Sequence, residues 1–155
     1  MSTSVTQLFD FNWKEMLIHT GQMLIAFVLI LPIGLNRENS KFSMGLRTFP
    51  MVSLASCGFT LVGFGMSGND DSQISNVING VVTGIGFIGG GAILKTDNSI
   101  EGTSTAAAIW AAGCVGVAVA MGRLEIAVLV SLMTFLIFYF ATPLKETLSN
   151  DSERP

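Results

Sequence analysis

"VVTGIGFIGGGAILKT", residues 81–96, decides how this chain is read. Its Gly84-Ile-Gly86-Phe-Ile-Gly89 satisfies the G-x-G-x-x-G dinucleotide fingerprint, and Leu94-Lys95-Thr96 stands one letter away from the Gly-Lys-Ser/Thr that closes a Walker A loop. Both phosphate readings need the glycines in a loop between a bounded strand and a helix. Here Asn76-Val-Ile-Asn79 precedes them and the apolar run is continuous, so neither reading has its structural context.

The surroundings point to a membrane instead. The 155 residues are 50% hydrophobic and 12% charged, against a charged share of about 25% in soluble proteins. Five apolar runs, 17–35, 48–66, 75–94, 103–120 and 126–144, each have roughly the 20 residues that a bilayer requires, and the charges sit mostly between them. In lipid a segment must satisfy its own backbone, and a closed barrel needs an alternation that these runs lack, so each is predicted to be a helix. The polar sequence left over is too short to cover five such helices in water.

The expected fold is an all-α integral membrane protein, a compact bundle of five transmembrane helices over 17–144. Residues 1–16 form an interfacial segment, where Leu8, Phe9, Phe11 and Trp13 suit the membrane surface. Residues 145–155 form a short tail. No small-x-small cleavage site follows the first run, which is expected to stay as an anchor. Arg37, Lys41, Arg47, Lys95, Lys145 and Arg154 fall on one side, and Lys14 and Arg123 on the other. The positive-inside rule then puts the N-terminus outside and the C-terminus inside.

At about 100° per residue, the third run places Asn76, Asn79, Gly80, Thr83, Gly84, Gly86, Phe87, Gly90 and Gly91 on one side. Val77, Ile78, Val81, Val82, Ile85, Ile88 and Ala92 take the other side, the one expected to meet lipid. Gly80/Gly84 and Gly86/Gly90 are G-x-x-x-G pairs, which let helix backbones approach closely in a membrane. Two uses of this face stay open. It is a packing surface, or a packing surface that also lines a small polar cavity at a helix break near 89–91. In the second case Asn76, Asn79, Thr83, Ser104 and Thr105 are the candidate polar path. Ala108, Ala112, Gly116 and Ala120 recur every four residues in the narrow fourth run, which belongs in the middle of the bundle as partner of the third. The fifth run, rich in Leu, Ile and Phe, belongs at the lipid boundary.

Several segments in one order resemble the MgtC/SapB family of bacterial membrane proteins: Gly34-Leu-Asn-Arg37-Glu38, Gly45-Leu-Arg47-Thr48, Gly84-Ile-Gly-Phe-Ile-Gly-Gly-Gly91, and Gly102-Thr-Ser-Thr105-Ala-Ala followed by Trp110. The resemblance implies a bacterial inner-membrane protein linked to growth in low magnesium, to survival inside host cells (virulence) and to restraint of the membrane ATP synthase. The chain departs from the family pattern at Asn36, Gln73 and Thr103. Many relatives carry a soluble domain after the fifth helix, and what that domain does is not carried over to this chain.

Arg37, Glu38 and Arg47 are expected together at the inner mouth. They read either as a solvated pair obeying the charge rule, or as a cluster in which Arg47 folds under the bundle to pair Glu38 or cap helix ends. His19 and Gln22, one turn apart, read as tolerated polar residues near the outer interface. Cys57 and Cys114 read as free apolar thiols. Ser104 and Thr105 look first like caps of the fourth helix. No nucleophile stands beside a base, no metal-ligand set is spaced for binding, and nothing suggests a cofactor or a nucleic acid. The functional expectation is a non-enzymatic protein acting through helix–helix association, as a homodimer or with a membrane partner such as the ATP synthase. The alternative is a small magnesium-linked transporter or channel along the third helix.

Overall fold

The structure, a computed structural model, describes residues 12–38, 45–67, 71–96 and 99–152. Its helices are α1 (Trp13–Glu38), α2 (Thr48–Ser67), α3 (Asp71–Gly91), α4 (Thr103–Ala120) and α5 (Leu124–Ser152). An antiparallel hairpin joins α3 to α4, with β1 (Leu94–Lys95) paired to β2 (Ile100–Glu101) so that Leu94 faces Glu101. All five helices are long and apolar enough to cross a membrane, one for each predicted run. Leu8, Phe9, Phe11, Lys41, Arg154 and the side chain of Lys145 lie outside the described residues.

The helix ends explain where the predicted boundaries shift. α1 begins four residues early because Asn12 caps it, its Oδ1 accepting from the N–H groups of Lys14 (3.1 Å) and Glu15 (3.5 Å). α3 stops at Gly91, three residues before its apolar run does. The N–H groups of Ala92 and Ile93 donate to the carbonyls of Gly89 and Gly90, i→i−3 bonds that tighten the last turn. The glycine triplet therefore ends the helix, close to the place where one of the two open readings put a break. α5 continues through residues 145–152, where a tail was expected.

Gly102 turns the hairpin into α4 at φ +82°, and a Cβ there would lie 1.9 Å from the carbonyl oxygen of Ala92, so only glycine fits. Gly102 is also the N-cap, and no side chain caps α4. Ser104 and Thr105 are thus not caps, since the left-handed glycine has already turned the chain before they begin. At the far end, Gly122 (φ +70°) donates to the carbonyl of Val119, and Arg123 donates to that of Ala118. These two bonds form a Schellman closure.

α4 packs against every other helix, while α3, α2, α1 and α5 form an arc around it, each touching the next. Ala108, Ala112, Gly116 and Ala120 are all buried, as expected of a central helix. Contact is closest where glycine replaces a side chain. A Cβ on Gly116 would lie 2.1 Å from the carbonyl oxygen of Ser53 on α2, one on Gly113 2.1 Å from Cδ1 of Ile85, and one on Gly63 2.8 Å from Cγ1 of Val77. Val77 and Ile85 are knobs of α3 seated in glycine holes on α2 and α4.

This reverses the expected rotation of α3. Val77, Val81, Ile85 and Ala92 turn inward, and Asn76, Asn79, Gly80, Thr83, Gly84, Phe87, Gly90 and Gly91 are exposed. Within the chain a Cβ on Gly80, Gly84, Gly90 or Gly91 would meet nothing within 4 Å. The inward face is set by the holes that Gly63 and Gly113 present, and branched side chains fill those holes where glycine would leave a void.

Gly116→Leu is expected to abolish the folded bundle, and Gly116→Ala to lower stability by about 1–3 kcal/mol through overpacking. Gly84→Leu should leave the unfolding temperature in detergent nearly unchanged. Equal losses for Gly116→Leu and Gly84→Leu would contradict the α2–α4 contact described.

Candidate functional site

One end of the bundle gathers the C-termini of α1 and α3 with the N-termini of α2 and α4. Arg37, in the last turn of α1, reaches across the bundle. Its Nη2 donates to Oγ1 of Thr105 at 3.1 Å, and its guanidinium carbon lies 4.8 Å from the ring centroid of Phe138 on α5. One side chain thus ties α1, α4 and α5 through a charged hydrogen bond and a cation–π contact. Thr105 is 2% exposed, and Ser104 beside it is exposed.

Glu38 turns the other way. Its Oε2 accepts from the N–H of Leu46 at 2.7 Å, just ahead of α2, where the helix N-terminus favours a carboxylate. The chain can come this close because position 45 has no side chain: a Cβ on Gly45 would lie 2.6 Å from Glu38 Oε2 and 2.9 Å from its Cα. Gly34 has the same relation to Leu46, whose Cα would be 3.3 Å away. The glycines of the two quoted segments are therefore contact points of one turn. Arg47 is exposed and, among the described residues, makes no ion pair. Among the described residues the three charges are directed apart: Glu38 accepts from backbone, Arg37 donates to Thr105, and Arg47 points to solvent.

The proposed polar path is dispersed in the same way. Asn76, Asn79 and Thr83 lie on the outward side of α3, and the Thr83 hydroxyl donates to its own helix at the carbonyl of Asn79, 2.8 Å away. Thr105 stands with Arg37 at one end of the bundle, so the five candidates line no common cavity in a single chain. The clefts beside α2 have almost wholly apolar linings.

What the single chain does leave open is one sector of α4. α3 and α5 close the arc on either side without packing on each other, and between them Thr103, Ala107, Trp110 and Cys114 form an exposed stripe. Gly86 of α3 borders it, a Cβ there lying 3.9 Å from the Trp110 ring, with Asn79 and Gly90 beyond. Of the glycines expected to pack, only Gly86 and Gly116 meet another helix within the chain.

Three polar links escaped sequence reasoning. Gln22 Nε2 lies 3.4 Å from the carbonyl oxygen of Val119 and 3.3 Å from that of Ala120, closing the C-terminal end of α4. The Ser53 hydroxyl donates to the carbonyl of Ala26 (3.3 Å), and that of Ser131 to the carbonyl of Leu29. Pro32 sits inside α1 and removes the donor that would meet the Val28 carbonyl, and the two serine bonds fall on carbonyls of that same stretch. Pro32 in an apolar run was the available signal. His19 is exposed and forms part of the wall of the α1–α2 cleft.

Thr105→Val keeps the shape and removes the acceptor of Arg37. It is expected to lower unfolding stability in detergent by about 2 kcal/mol, whereas Arg47→Gln should change it by no more than about 0.5 kcal/mol. The reverse ranking would make Arg47 the structural charge.

The MgtC family model matches residues 23–147. Over 125 residues the chain is 34% identical to the uncharacterized protein slr0014 of Synechocystis sp., covering 81% of this chain and 51% of that protein. It is 32% identical over 143 residues to Protein MgtC of Brucella abortus, covering 92% and 59%. It is 33% identical over 125 residues to YhiD of Escherichia coli K12, whose name proposes magnesium transport, covering 75% and 57%. The chain thus spans between half and three-fifths of the length of these relatives. No solved structure matches it. The match takes in all of α2 to α4 and the glycine contacts that hold them together, and the chain belongs to the MgtC family.

Proposed function

We propose that this protein is a non-enzymatic membrane protein that works by helix–helix association, as a homodimer or against the helices of a membrane partner. The observation that carries the reading is the open sector of α4. A stripe of Thr103, Ala107, Trp110 and Cys114 is left uncovered on α4, and Asn79, Gly86 and Gly90 share the bordering face of α3. Small residues let a second helix approach closely, and a polar amide at membrane depth is better placed against another helix. Two-fold pairing, the commonest closed symmetry, would cover the stripe on both copies. The membrane ATP synthase, to which the family resemblance points, offers such helices as well.

The name of YhiD supports a second reading, magnesium transport. In it two copies would bring Asn76, Asn79 and Thr83 together into a neutral path that one copy lacks. This reading needs both the oligomer and magnesium flux into proteoliposomes; association alone needs only the first.

The orientation belongs to the same proposal: a bacterial inner-membrane protein with its N-terminus outside and the Arg37 end facing the cytoplasm, by the lysine and arginine count. With Cys57 and Cys114 replaced by serine, a cysteine at Asn69 should react with an impermeant reagent in intact cells, and one at Asn98 only after the cells are opened. The opposite pattern would overturn the orientation.

Native mass spectrometry in mild detergent and in nanodiscs should find the unmodified protein dimeric. Gly90→Leu, whose Cβ would meet no other element within 4 Å, should give folded monomer with unchanged helicity. Oxidative cross-linking should link copies through Cys114 rather than the buried Cys57. A monomer in both media, without a copurifying partner, would sink the association reading.

A further inference from the structure

A second surface lies on the other side of α3 and takes a different kind of ligand. Between α2 and α3 runs a cleft of about 440 Å³ whose walls include Val52, Phe59 and Met66 on one side and Val77, Gly84 and Ile88 on the other. It is a built recess rather than a splayed pair of helices. Val77 seated against Gly63, and Ile85 in the hole at Gly113, hold α3 at a fixed distance, and the absent side chains of Gly80 and Gly84 leave the space between. From Val52 to Met66 it follows α2 for fourteen residues, about 21 Å along the helix axis.

Size and chemistry choose the occupant. A helix of that length, about 10 Å across, needs well over a thousand cubic ångströms, so a second copy of α3 could enter only by one ridge of side chains. A methylene is close in size to a water molecule at about 30 Å³, and a chain of roughly fifteen fills the space. Water itself has too few partners there, Ser56 being the one hydroxyl of the lining. Phe59, Val62, Met66 and Ile88 on the rim are exposed, so the cleft opens sideways onto the bilayer. The sequences flanking the cleft differ in charge. Beyond Val52 and Ile88 the chain carries the exposed cations Arg47 and Lys95, and the connection beyond Met66 reads Ser-Gly-Asn-Asp-Asp. Basic residues at a membrane surface attract anionic headgroups.

We infer that the α2–α3 cleft is a phospholipid site, which holds one acyl chain lengthwise with an anionic headgroup at the Arg47 and Lys95 end. The α4 sector proposed for association is separate from it, and filling one leaves the other open.

The test uses the full chain in proteoliposomes with phosphatidylglycerol or phosphatidylethanolamine bearing a photoreactive group in the acyl chain, and cross-links are mapped by peptide mass spectrometry. Labelling of 52–66 and 77–88 should exceed that of the outward face of α5 around Leu129 and Met133 several-fold. The double variant Gly80→Leu with Gly84→Leu should lose most of it and keep the α5 labelling as an internal control of insertion. Arg47→Gln with Lys95→Gln should remove the preference for phosphatidylglycerol. Equal labelling of the cleft and α5, unchanged labelling in the filled variant, or no headgroup preference in the unmodified protein would overturn the assignment. The same measurement in Gly90→Leu separates this site from association. Cleft labelling that appears only in that variant would mean that a second copy covers the cleft, and would overturn the lipid site while supporting the dimer.

Discussion

The bundle depends on how closely α2 and α4 can approach. Hydrocarbon offers helices no hydrophobic reward for meeting, so contact rests on dispersion and weak polar bonds that fall away within an ångström. At Gly116 the backbone of α4 sits where any side chain would strike the Ser53 carbonyl. That contact brings Gly113 to Ile85 and so sets the rotation of α3. It also holds Ser53 against α1, where its hydroxyl reaches the Ala26 carbonyl. α4 is therefore reduced to glycine where it meets Ser53 and Ile85, at Gly116 and Gly113, while Ile109, Val115 and Val119 supply its larger buried side chains.

The Arg37 end follows from the same closeness. Gly34 and Gly45 let the start of α2 sit against the end of α1, which gives Glu38 to the N–H of Leu46 while Arg37 crosses toward α4 and α5. Adjacent residues of one helix turn differ by about 100° in direction, so Arg37 and Glu38 were never placed to act on one target. A charge that ties three helices at one end also constrains the α4 N-terminus, which Gly102 has already fixed against Ala92. Both ends of α4 are thus held by neighbours, at one end by Arg37 and at the other by Gln22.

The five helices, the central place of α4 and the family were legible in the residues, because apolar length, four-residue spacing of small side chains and ordered motifs are local properties. The rotation of α3 was not. Its wheel divides cleanly into glycine and branched faces, and a wheel says nothing of what each face meets. That depended on Gly63 and Gly113, holes on other helices that look unremarkable within their own runs. Arg37 and Glu38 were expected to act with Arg47, but Arg37 meets a hydroxyl and Glu38 a backbone N–H, and only tertiary distance selects these over a nearby opposite charge. Gln22 was passed over because a polar residue near a helix end has an ordinary explanation, and the α4 carbonyls it meets lie almost a hundred positions away in sequence.

Four glycines of α3 remain that no contact within the chain requires. Gly80, Gly84, Gly90 and Gly91 each cost a helix about 1 kcal/mol relative to alanine, and an alanine at any of them would meet no atom within 4 Å. Gly90 and Gly91 have a local use, since the helix ends there in two tightened bonds. Gly80 and Gly84 stand in mid-helix and have none. They face the α2 side, where a larger residue would fill the cleft, whereas the α4 side is bordered by Gly86, Gly90 and Asn79. Small residues on both flanks of one helix are more than a single interface needs, and the two flanks differ in kind: an apolar recess of acyl width on one, and on the other a shallow stripe with an amide and an indole within reach. The physical difference between those flanks is the reason to assign them different occupants.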